Sequence, residues 1–189
     1  IINAPSIPVQ TLEFFCNTIS QSLSLQHLDV SGLSLGPEGA FYVGRAAQNS
    51  FIHSLRVANN NLQTSGCAYL LKCNLRHLSL DDNNIHPKNW HRCFQKAAVD
   101  MKKLELPGHM FLADSIISMG HWLNTTRLTH LNVDRTNIKG DTLKLLCAAV
   151  KHHPTLTSLQ LCECDLDDHD MVPIYKLLQR NTVLKRLYL

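Results

Sequence analysis

One spacing constrains this chain more than anything else in it. The pattern L-x-x-L-x-L-x-x-N-x-L, with close relatives of leucine allowed, occurs six times and begins a seventh. The stretch "NLRHLSLDDNNI" (74–85) carries it from Leu75 to Ile85. The other full units run Leu25–Leu35, Ile52–Leu62, Met101–Phe111, Leu128–Ile138 and Leu156–Leu166, and "LKRLYL" opens a seventh at Leu184. Their starts lie 27, 23, 26, 27, 28 and 28 residues apart. Self-similarity at such a period means a stack of supersecondary units, each unable to bury its apolar face alone.

Each position has a physical role. Side chains alternate along a strand, so the fourth and sixth positions point inward while the third and fifth point out. The ninth wants a small polar side chain that can hydrogen-bond the turning backbone. Asn60 and Asn83 fill it, and Cys164 is a recognised substitute. Leu33, His109 and Thr136 depart from it, so the turns of units 1, 4 and 5 are expected to be less regular. Between strands the period becomes helical, over 36–50, 140–153 and 170–181. In the last segment Met171, Ile174 and Leu178 share a face, Asp170 is the expected N-cap, and Pro173 falls in the tolerant first turn. Residues 9–22 read as the helix of an earlier unit, and unit 2 leaves room for about two helical turns.

A short strand alternating with a full helix at about 28 residues resembles the ribonuclease-inhibitor-type leucine-rich repeats, and the likeness covers nearly the whole chain. It implies a right-handed curved α/β solenoid, a horseshoe of about seven units with a concave parallel sheet and convex helices. Relatives include cytosolic inhibitors, sensor domains of innate immune receptors, actin regulators and host-mimicking effectors of intracellular bacteria. In those families the concave face and adjoining loops bind another protein. The expected organisation is a single domain over 1–189. A partial unit occupies 1–24, and units start at 25, 52, 75, 101, 128, 156 and 184. The chain opens without Met and breaks off inside unit 7, so it reads as truncated within a repeat.

Composition narrows the function. With 18 basic and 15 acidic residues the formal charge is +3, and no basic stripe is interleaved with aromatics, so nucleic acid is not an expected partner. No apolar run reaches a membrane span of about 18 residues. Seven scattered cysteines, an odd count, fit reduced thiols in a cytoplasmic compartment better than a secreted disulfide scaffold. "CEC" (162–164) splits between an exposed and a core position, so one partly exposed and one structural thiol are expected. "DLDDHD" (165–170) reads as acids favoured at a helix N-terminus rather than a cation site. In "HPKNWHRC" (86–93) Trp90 is expected to pack inward, and Trp122 to pack against the next helix. His27, His77 and His130 recur two strands apart, roughly 10 Å, too far for shared zinc. No nucleophile elbow, Cys–His signature or phosphate-cradling loop appears. Neither catalytic residues, nor a metal, nor a cofactor is expected.

What remains is the outward polar surface. The residues expected to meet a protein partner on the concave face and loops are Arg56, Arg76, His77, Asp81, Glu105, His130, Asn132, Asp134, Arg135, Gln160, Glu163 and Tyr188. Ser79, between His77 and Asp81, is expected to be read as well. Two neighbouring pairs, Asp29 with Arg56 and Arg135 with Glu163, offer the competing role of pairing with each other. The expected function is a non-enzymatic interaction module, monomeric alone, that binds and inhibits or sequesters another protein. The reading leans towards a secreted bacterial effector in the host cytosol. The alternative is a ligand-sensing or substrate-recruiting segment of a larger sensor or ligase.

Overall fold

The structure is a computed structural model and describes residues 7–189; the first six residues of the partial unit at 1–24 lie outside the described residues. Seven three-residue strands form: β1 (His27–Asp29), β2 (Ser54–Arg56), β3 (His77–Ser79), β4 (Lys103–Glu105), β5 (His130–Asn132), β6 (Ser158–Gln160) and β7 (Arg186–Tyr188). Each starts two residues into its unit, and all pair in parallel in chain order as one open sheet. The register is unbroken: Leu28, Leu55, Leu78, Leu104, Leu131, Leu159 and Leu187 form one ladder. The five inner leucines are buried, while Leu28 and Leu187, on the outer strands, are half-buried.

Each of β1 to β6 returns through a helix: α2 (Gly36–Gln48), α3 (Gln63–Lys72), α4 (Trp90–Phe94), α5 (Ala113–Leu123), α6 (Gly140–Val150) and α7 (Met171–Leu178). The earlier helix, α1 (Val9–Ser20), precedes β1. Packed helices sit about 8–10 Å apart and paired strands about 4.8 Å. The two layers can stay in register only by curving, with the sheet on the short, concave side. One continuous apolar core runs between them, from Leu12 to Leu177. Its bulkiest part lies under units 3 and 4. There Trp90 stacks on Phe94 (ring centroids 5.5 Å apart) and meets His109 edge-on at 4.9 Å. Trp90 is buried as expected. Trp122 packs on Phe94 of the preceding unit, and its Nε1 donates to the Ala98 carbonyl.

The ninth-position residues act one unit back. Asn60 accepts from the Leu33 and Leu35 amides of unit 1 and donates to the Val30 carbonyl. Asn83 does the same for Asn60, Leu62 and Val57. Unit 1 therefore turns as units 2 and 3 do despite Leu33, with Ser34, Asn61 and Asn84 all in the left-handed region. His109 keeps only the donor half, to Leu80, and Thr136 bonds Val133 within its own unit. In unit 4 the tenth residue of unit 5, Asn137, takes over by bonding both the amide and the carbonyl of Phe111. Met110 and Asn137 accordingly leave the left-handed conformation that Ser34, Asn61 and Asn84 share.

Asp170 does stand at the N-cap of α7, but its side chain makes no capping bond there. A 3₁₀ turn, Asp168–Asp170, precedes α7 and is capped by Asp167, whose carboxylate accepts from the His169 and Asp170 amides. Buried Asp170 instead reaches the neighbouring helix, accepting from the Gly140 amide at the start of α6 at 2.7 Å. A carboxylate at that end also meets the favourable side of the helix dipole.

Candidate protein-binding face

The third and fifth positions stand on the concave side of all seven strands. At the middle of this face the side chains are occupied by one another. Glu105 accepts from His77 Nε2 at 3.0 Å through one oxygen and from Lys103 Nζ at 2.7 Å through the other. His77 Nδ1 also bonds the Ser54 hydroxyl at 3.1 Å, extending the network across β2, β3 and β4. Burial pushes the Glu105 carboxyl up, but the His77 and Lys103 bonds and charges outweigh it and hold its pKa at about 2. Beside it the Ser79 hydroxyl donates to Asp81, and burial raises the Asp81 pKa. Ser79 has no accessible surface, so the expectation that a partner reads it is corrected. Longer side chains on either side close over a small one.

Towards the C-terminal flank, His130 Nε2 accepts from Arg186 Nη2 at 2.6 Å, while its Nδ1 lies 2.8 Å from the Thr129 hydroxyl. Burial, then the Arg186 and Lys103 charges, lower its pKa, so the imidazole is held neutral. Asn132 accepts from the Asp134 amide of its own unit, and Asp134 accepts from the Cys162 amide of the next unit. Of the twelve residues expected to meet a partner, Arg76, Gln160, Glu163 and Tyr188 make no side-chain hydrogen bond or ion pair with the described residues. Arg76, Glu163 and Tyr188 are exposed and Gln160 is half-buried. Arg56 meets Asp29 only at 3.8 Å with half of its side chain in solvent.

A second line of charge runs along the loops at the eighth position, where Gly32, Asn59, Asp82, Gly108, Arg135 and Glu163 all have positive φ. Arg135 does not pair with Glu163 as expected. Its guanidinium donates to Asp82 at 3.1 Å, two units away. Gly108 makes that reach available: a Cβ there would fall inside the Asp82 carboxylate. Gly108, Asp82, Ser54, Lys103 and Arg186 were not among the expected site residues. The third-position ladder already contained three of them, but only cross-strand register tells which neighbour each one meets.

Other chemistry is sparse. Burial pushes the thiols of Cys16 and Cys73 up to about 11 and those of Cys93 and Cys147 to about 12, far from nucleophilic range. Cys164 is buried and Cys162 half-buried, both as free thiols. Among the described residues no group of three His, Cys, Asp or Glu side chains is placed to hold a metal ion. None of their helices is long and apolar enough to cross a membrane.

Comparison with known proteins agrees with this geometry. Residues 72–88, which contain β3 and its turn, match the Leucine Rich repeat family. No curated protein matches the sequence. Among solved structures, the chain is similar to the tropomodulin C-terminal domain of Caenorhabditis elegans, with 14% identity and a TM-score of 0.50. The likeness covers 89% of this chain and 92% of that one. One matched repeat within seven parallel strand units, together with this likeness in fold, describes a leucine-rich-repeat-like solenoid.

Proposed function

We propose that this chain is a non-enzymatic module that binds another protein through exposed side chains flanking the self-paired network of its concave face, and that it acts by occluding or sequestering that partner. One observation carries the proposal. Seven strands in unbroken register hold a preformed surface on which the middle is self-satisfied while Arg56, Arg76, Gln160, Glu163 and Tyr188 remain turned to solvent. Arg and Tyr are the types that supply most binding energy at interfaces, and a rigid scaffold loses little entropy when they engage. The proposal includes one domain over 1–189, the ribonuclease-inhibitor-type subclass, a monomer, and a reducing compartment for the seven free cysteines. The effector reading rests on family resemblance rather than on any residue.

The test is affinity capture with wild type and an Arg56→Glu/Arg76→Glu/Tyr188→Ala variant, followed by calorimetric titration of what wild type retains. A bound protein whose affinity falls at least about tenfold in the variant supports the reading. Equal affinity moves the interface off this face.

A further inference from the structure

A second surface lies on the convex side. The helix of unit 3 is replaced by a 3₁₀ turn at Pro87–Asn89 followed by α4, only five residues long against ten in α3. Half of the α3 flank is therefore left uncovered, and a groove of about 620 Å³ opens between the two helices. The contrast with the junction before it is sharp. Between α2 and α3, Gly44 and Gly66 let the helices approach so closely that a Cβ on either would strike the other helix.

Lys72 closes α3 at one end of the groove, Arg92 and Lys96 rise from α4 and the residues after it, and His86 stands before the 3₁₀ turn. No Asp or Glu lines the groove. None of the three cations has a carboxylate partner among the described residues. Ion pairs elsewhere on the molecule do couple Arg56, Lys103, Arg135 and Lys144 to acids. A cleft lined by one sign of charge focuses its field and concentrates ligands of the opposite sign. Along its floor Asn89 donates to the Thr64 hydroxyl at 3.1 Å, which places amide and hydroxyl groups where an extended backbone could bond.

We infer that this groove binds an acidic peptide segment of a partner protein, laid along α3 with its carboxylates on Lys72, Arg92 and Lys96. Ten helical residues span about 15 Å, the length of four to five extended residues at about 3.3 Å each. An open groove of that length between two helices can follow one extended chain. No Phe, Tyr or Trp lines it to stack a nucleobase. The site stands apart from the concave face and does not depend on the function proposed for it.

Fluorescence anisotropy with a labelled peptide carrying four consecutive glutamates, at low ionic strength, tests the assignment. Wild type is compared with Lys72→Glu/Arg92→Glu/Lys96→Glu. The control is Lys144→Glu/Lys151→Glu/Lys176→Glu, which makes the same change in net charge at the groove between α6 and α7. The expected result is saturable binding that weakens at least about tenfold in the first variant and less than about twofold in the second. No binding by wild type, or equal loss in both variants, overturns it. So does stronger binding to phosphatidylserine vesicles that the peptide fails to displace. Five of the six substituted residues are exposed and Lys151 is half-buried, and circular dichroism checks the fold.

Discussion

The middle and the flanks of the concave face carry similar residues to different ends. In the network joining Ser54, His77, Lys103 and Glu105 charge is spent internally: both oxygens of Glu105 are taken, His77 is bonded at both nitrogens, and nearby Ser79 is covered. Flanking that network, Arg56 at the end of β2, Arg76 just before β3 and, farther off, Tyr188 on β7 carry the same kind of polarity but face solvent. Availability, not charge, separates the two regions. Substitutions in the middle should therefore change stability, and substitutions on the flanks should change binding.

The largest effect is expected below the middle of the sheet. Leu78→Ala empties a fully buried position in the leucine ladder and should cost about 3–5 kcal/mol in urea denaturation. Leu187→Ala, on the half-buried outer strand, should cost about half of that; equal costs would mean the solenoid's end is as well packed as its centre.

Next comes Glu105→Gln, with an expected loss of about 1–3 kcal/mol at neutral pH, reduced for the partial exposure of its partners. A carboxyl whose folded pKa is depressed contributes its stability above its ordinary value. That contribution is lost as pH falls towards about 2. Wild type should weaken through this acid window and the variant should weaken less; parallel pH profiles would break the claim that the network stabilises the middle.

Smaller again is Gly108→Ala, which meets a positive φ and the Asp82 carboxylate together and should cost about 1–2 kcal/mol. A double-mutant cycle over Asp82→Ala and Arg135→Ala should return a coupling of about 0.2–1 kcal/mol, as for other partly exposed pairs, and it should vanish in the Gly108→Ala background. The smallest stability effect belongs to the flank, where Arg56→Ala and Tyr188→Ala should each stay within about 0.5 kcal/mol.

The repeat spacing made the strands, their order and the inward leucines legible, because period-2 alternation and stacking leave a chain of such units one way to bury itself. What it did not reveal are contacts settled by a third residue. Arg135 meets Asp82 because Gly108 between them has no side chain. Leu33 does not disturb its own turn because Asn60 of the next unit holds it. Asp170 stands at the N-cap of α7 but gives its carboxylate to the amides of Gly140 and Asp167. Each depends on distances between units that no single unit's pattern contains. The convex groove escaped for the same reason: "HPKNWHRC" read as a helix start, while the consequence of its shortness appears only beside α3.

The most direct test of the central claim is one titration series with the retained partner: wild type, Arg56→Glu/Arg76→Glu/Tyr188→Ala, and Glu105→Gln. Binding weakened at least about tenfold by the flank variant and less than about threefold by Glu105→Gln is the predicted result. Flank substitutions that leave the affinity unchanged, or a Glu105→Gln loss as large as theirs, would contradict it.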